Sequence, residues 1–79
     1  MVISALVLTL APEPAVRLRA LARLAADPRL ELGEPVAHRL PVVAESASAA
    51  EGAALCDALG AEDGVLRVDV VAIDFGEDA

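Results

Sequence analysis

Few residues in this chain have the means to do chemistry: one histidine, His38, one cysteine, Cys56, and thirteen acidic side chains spread over 79 residues. Acid–base catalysis by His38 needs a group that orients the imidazole and a pocket that brings a substrate to it. His38 lies just past Pro35 in a loop-like stretch whose neighbours supply neither, so it reads as a surface histidine. Cys56 falls on the apolar stripe of a helical segment and reads as a small packed hydrophobe. A metal site needs several His, Cys or clustered carboxylates at ligand spacing. One His and one Cys on separate elements do not provide it. The residues therefore predict no catalytic group, no metal and no cofactor, which leaves recognition as the chemistry to explain.

Composition narrows what could be recognised. The chain carries six basic residues, all arginine, against the thirteen acidic ones, a net charge of −7. Nucleic acid is excluded, because phosphate binding needs a basic footprint and single strands also need stacking aromatics. Phe75 is the only aromatic residue. The acidic surplus suits a basic partner, and also simple solubility. A single cysteine makes no internal disulfide, so nothing points to an oxidising compartment. The opening run M-V-I-S-A-L-V-L-T-L-A has no basic residue before Arg17, unlike a secretory leader, and reads as a strand. No stretch approaches the roughly 20 apolar residues of a membrane span. A cytoplasmic, non-inserted protein is the expectation.

The elements that must position a recognition surface follow from periodicity. Val2 to Leu10 alternates as a strand, largely apolar on both faces, which suits a central position. Pro14, tolerated in a first helical turn, opens a helix to about Ala26 with Leu18, Leu21 and Ala25 as its stripe and Ala22 and Leu24 beside it. Arg17, Arg19 and Arg23 form its solvated flank, and Asp27-Pro28 ends it. Leu30 to Leu32 is a short edge strand broken by Gly33 and Pro35. Arg39 to Glu45 is a third strand, with Leu40, Val42 and Ala44 alternating against Pro41, Val43 and Glu45; Pro41 implies that one flank is incompletely paired. Ser48-Ala49-Ala50-Glu51 is a capping box before a helix to about Leu59, with Gly52, Leu55, Cys56 and Leu59 on one face and Gly60 as its stop. Gly64 to Phe75 is the last and longest strand, and Gly76 to Ala79 an acidic tail. In the last strand Leu66, Val68, Val70 and Ala72 read as core, and Arg67, Asp69, Val71, Ile73 and Phe75 as the opposite face.

Strand–helix–strand–strand–helix–strand in a single 79-residue domain predicts an α+β, ferredoxin-like βαββαβ sandwich. Its four antiparallel strands carry both helices on one face, with the first and third strands central and the last beside the first. The uncovered face would present Ile3, Ala5, Val7, Thr9, Val43, Glu45, Asp69, Val71 and Ile73, a shallow apolar surface with acidic groups on it. The loop Ala11-Pro12-Glu13-Pro14 has neither the paired cysteines of a copper carrier nor the glycine-rich, arginine-bearing cradle of an acylphosphatase. Phe75 alone cannot stack bases as an RNA-recognition domain does.

Ile3-Ser4-Ala5-Leu6-Val7, Arg39-Leu40-Pro41-Val42-Val43-Ala44-Glu45 and Gly64-Val65-Leu66 with Val68, Val70 and Val71 together resemble the NapD family over nearly the whole length. These are cytoplasmic assembly chaperones for the periplasmic nitrate reductase. Members often end the last strand with Tyr-His where this chain has Ala72-Ile73. The resemblance implies a chaperone that binds the twin-arginine signal peptide of a molybdenum-containing nitrate reductase precursor and delays its export until the cofactor is inserted. Asp69 and Glu45 would then pair with the arginines, and Val7, Val43, Val71 and Ile73 would receive the apolar segment. A second reading of the same topology is a dimeric small-molecule-binding regulatory domain of the amino-acid-binding type. A glycine-rich first loop would favour that reading, and this chain lacks one. A homodimer made through the open face is the third.

Overall fold

Six elements follow in the expected order: β1 (Val2–Leu10), α1 (Pro14–Ala25), β2 (Leu30–Leu32), β3 (Arg39–Ser46), α2 (Ala49–Gly60) and β4 (Val65–Asp74). The structure, a computed structural model, describes residues 1–76, so the acidic tail expected after Gly76 lies outside the described residues. The strands form one antiparallel sheet in the order β2-β3-β1-β4, the ferredoxin-like arrangement. Leu6, Leu8 and Leu10 of β1 and Leu40, Val42 and Ala44 of β3 pack with Leu24 of α1 and with Leu55 and Leu59 of α2. Alternate residues of the same strands are exposed, as Ile3 and Val43 are, or half-buried, as Ala5, Val7 and Thr9 are. Both helices thus cover one face of the sheet and leave the other open.

Helix α1 buries a different stripe from the one its leucines suggest. Ala20 and Leu24 are buried with Leu21 half-buried, while Leu18 is 64% exposed. The reason is a close approach. Gly64, in the turn before β4, lies so near α1 that an added Cβ would stand 3.0 Å from the Ala20 Cβ and 3.2 Å from Val16. Its φ of 88° is the left-handed conformation that only glycine adopts without strain. The stripe is set by the small residue that lets the turn in. Arg23 of the supposed solvated flank is also engaged: Nε pairs with Glu62, and Nη2 donates to the Asp63 carbonyl at 2.6 Å. Arg17 Nη1 donates to the Pro12 carbonyl at 2.9 Å, tying down the β1–α1 loop.

At the start of α2 the Ser48 hydroxyl accepts the Glu51 N–H at 3.1 Å, and the Glu51 carboxylate accepts the Ala47 N–H at 3.1 Å, one residue earlier than in the usual reciprocal box. In β3 the incomplete flank implied by Pro41 faces β2. Gly33 N–H donates to the Pro41 carbonyl at 2.8 Å, and proline has no N–H to return. The β2–β3 ladder stops there.

Candidate functional site

The composition of the open face is decided by two irregularities in the β1–β4 ladder. Thr9 pairs with Arg67 but Leu10 with Val65, so Leu66 has no partner; Leu6 pairs with Val70 but Ala5 with Ala72, so Val71 has none. Each extra residue is a β-bulge, which resets the alternation of the strand. Both bulged side chains are exposed, Leu66 at 65% and Val71 at 66%. The residues of β4 opposite the buried positions of β1 are therefore Val65, Val68, Val70 and Ile73, and those opposite the open positions are Arg67, Asp69, Ala72 and Asp74.

This corrects the strict alternation read from the sequence. Ile73 pairs with Ser4, which is buried on the helical side, and together with Phe75 it borders a cavity of about 320 Å³ beside Gly52 and Cys56. Neither Ile73 nor Phe75 belongs to the open face. Leu66 is not core, and Ala72 faces outward opposite Ala5 while Val65 is buried. Of the nine expected face residues, Ile3, Ala5, Val7, Thr9, Val43, Glu45 and Asp69 occupy paired positions on the open side. Val71 joins them from its bulge, lining a groove of about 390 Å³ with Ala5, Val7, Pro41 and Val43.

Register places these side chains in rows across the sheet. Thr9 lies between Arg39 and Arg67, Val7 between Pro41 and Asp69, Ala5 between Val43 and Ala72, and Ile3 between Glu45 and Asp74. Glu31 of β2 stands beyond Val43. One end of the face is basic and the other acidic, and the apolar strip between them is edged by Asp69 on β4 and Glu31 on β2. At about 3.4 Å per residue the two ends lie roughly 20 Å apart. Arg67 Nε donates to Asp69 Oδ1 at 3.0 Å, so this carboxylate already has a cationic partner. Among the described residues no ion pair involves Glu31, Glu45 or Asp74; the Asp74 carboxylate accepts only the Gly76 N–H, at 2.9 Å.

Sequence reasoning missed four members of this surface. Ala72 and Asp74 were hidden by the Val71 bulge, and no pattern in β4 itself marks that bulge. Glu31 and Arg39 become neighbours of the apolar strip only through pairing with Val43 and Thr9.

The other reactive groups stand apart from the face. His38 is exposed in the turn before β3, its Nδ1 3.4 Å from Arg17 Nη1. A guanidinium only donates, so the imidazole nitrogen accepts. Cys56 is half-buried on α2, and burial, then the neighbouring Asp57, pushes its thiol above the ordinary cysteine range. Among the described residues no group of three or more His, Cys, Asp and Glu is placed to hold a metal, and no helix is long and apolar enough to cross a membrane. Compared with family profiles, curated proteins and solved structures, the chain matches none of them.

Proposed function

We propose that the chain is a cytoplasmic binding module, not an enzyme, that takes a twin-arginine signal peptide on its open sheet face, as the NapD resemblance implies. Its client would be the precursor of a molybdenum-containing nitrate reductase, held back from export during cofactor insertion. The observation that carries this reading is the flanking of Ile3 by Glu45 and Asp74 at one end of an apolar strip of Ala5, Val7, Val43 and Val71. Paired guanidinium groups bind carboxylates by charge-assisted, often bidentate bonds, and a following apolar segment loses water against the strip. Arg39 and Arg67 at the far end repel the arginines, which fixes the direction in which the peptide lies. Roughly 20 Å accommodates about six extended residues or about 13 helical ones. Asp69, committed to Arg67, contributes less than Glu45 and Asp74.

The test is an NMR titration with a synthetic twin-arginine peptide. Amide shifts should centre on Ile3, Ala5, Val43 and Glu45, and should weaken as salt rises. A twin-lysine peptide should bind less well, since lysine lacks the bidentate fork. Absence of shifts at low salt would remove the proposal. Co-purification of a molybdoenzyme precursor only while its signal peptide is intact tests the identity of the client.

A further inference from the structure

Five of the ten large exposed apolar side chains of the described residues, Leu66, Val70, Val71, Ile73 and Phe75, lie in β4 or directly after it. That strand is also a sheet edge. Its outward backbone groups can be assigned. Leu10 N–H donates to the His38 carbonyl of the β3 side, so the even-numbered residues of β1 turn their backbone groups to β3 and the odd-numbered ones to β4. Arg67 and Asp69, opposite Thr9 and Val7, bond inward, and Val68 and Val70 direct N–H and C=O groups outward. Edge strands are commonly blunted by lysine, proline or inward-pointing charge. The stretch between the two bulges contains no Lys or Pro, and its two charges, exposed Arg67 and half-buried Asp69, lie on the open face.

We infer that this edge pairs antiparallel with the same edge of a second copy, about a two-fold axis at Val68. In this register Val68 faces its counterpart, Leu66 faces Val70, and Arg67 faces Asp69, twice by symmetry. The Val68 pair at the axis uses outward backbone groups on both copies. The Arg67–Asp69 sequence is thereby self-complementary, since each charge meets its opposite across the dyad. An axis at Asp69 would oppose two aspartates and require inward groups; an axis at Val70 would put the Val71 bulge directly beside the axis. The favoured pairing centres on the regular segment between the bulges, meets the Leu66 bulge only at the ends of the ladder, and turns Val70, 51% exposed, toward the partner copy. The result is an eight-stranded sheet whose two open faces lie side by side, so dimerisation leaves the proposed peptide surface uncovered.

The test is sedimentation of the protein from low micromolar to millimolar concentration, with charge-reversed variants whose folding is checked by circular dichroism. The mass should rise from 8.1 kDa toward twice that value. Arg67→Asp and Asp69→Arg should each weaken association about tenfold or more, by opposing like charges. An equimolar mixture of the two should associate again as a heterodimer, and the double exchange should restore the homodimer. Val70→Lys, which spares the charge pair, should also leave a monomer. A protein monomeric throughout the range overturns the inference, as does a dimer indifferent to these substitutions. So does a monomer whose Val68 and Val70 amides shift on adding a twin-arginine peptide, because the peptide would then occupy the edge. Failure of the peptide titration at Ile3, Val43 and Glu45 would leave the sedimentation result standing, so the two readings fail separately.

Discussion

Ser4 of β1 faces Ile73 of β4 across the ladder, and Ser4 is buried on the helical side of the sheet. Two residues earlier in β4, Val71 protrudes from its bulge on the other side, against Val7 and Val43. Two valine-like side chains that strict alternation puts on one surface thus serve opposite surfaces.

Substitution separates them. Val71→Lys places a cation in the groove that would receive the apolar part of a basic peptide, and should weaken twin-arginine peptide binding by about tenfold or more, about 1.4 kcal/mol. Ile73→Lys should leave that affinity within about twofold, because its side chain borders the cavity beside α2. Calorimetric titration of both variants decides the matter. Equal losses would mean that the peptide does not read the face assigned by the ladder.

Gly64 is the position where a single methyl group does most harm. Alanine there meets the left-handed penalty of about 1–2 kcal/mol. It also meets the Ala20 Cβ at 3.0 Å and the Val16 carbonyl at 3.2 Å, so α1 must move away from the turn. Gly64→Ala should lower stability by about 2–4 kcal/mol, read as a lower urea midpoint at unchanged slope. A loss no larger than the backbone penalty of about 1–2 kcal/mol would show that α1 does not sit on the turn.

The topology was legible because each element carries its own local signal: Pro14, the Ser48–Glu51 cap, the Asp63-Gly64 turn, and alternation in β1 and β3. In those two strands alternation also separated buried from open side chains correctly, as with Leu40, Val42 and Ala44 against Val43 and Glu45. It failed in β4, where two bulges shift the phase. A bulge is a property of the pair of strands: Leu66 and Val71 are extra only relative to β1, which no reading of β4 alone can count. The α1 stripe failed for a related reason. Bulk favoured Leu18, whereas the contact that matters is Ala20 against Gly64, and small residues at a close approach carry little hydrophobic signal.

Asp27 gives the acid side of the stability curve a recognisable contribution. Its carboxylate accepts from Arg29 Nη2 at 2.7 Å, Nε at 3.0 Å and the Arg29 N–H at 2.9 Å, and the side-chain bonds, then the backbone bond, hold it below the usual carboxylate range. The charged form is the one favoured by folding. Its contribution is full above the unfolded value of about 3.9 and is lost as pH falls through the lower folded value. The pair is solvent-facing, so the contribution is below about 1 kcal/mol. Asp27→Asn should therefore cost that amount at pH 6 and nothing well below the folded value. A gap in urea midpoints that persists unchanged at the lowest pH would remove the explanation.

Cys56 should be a slow nucleophile. Burial and the adjacent Asp57 both disfavour the thiolate, which is the reactive species. Alkylation by iodoacetamide at neutral pH should be slower in the native protein than in urea, and Asp57→Asn should raise the native rate modestly. A native rate equal to that of the unfolded chain would mean that α2 does not shield the thiol.

The turn into β3 contains the one non-glycine residue with a positive φ among the described residues. Val36 and Arg39 exchange backbone bonds at 2.9 and 3.0 Å around the two-residue loop Ala37-His38, and Ala37 has a φ of 55°. Turns of this length with a positive φ at the first position favour glycine there. Ala37→Gly removes a left-handed penalty of about 1–2 kcal/mol and adds about 0.4–1 kcal/mol of unfolded-chain entropy. The relief is the larger of the two, so the variant should be more stable by about 0.5–1 kcal/mol. In a domain of this size that raises the melting temperature by about 2–8 °C. The direction is opposite to that for Gly64→Ala because the exchange is reversed: φ is positive at both positions, so glycine is favoured at each. A lower melting temperature for Ala37→Gly would mean that Val36 and Arg39 do not hold this turn in solution.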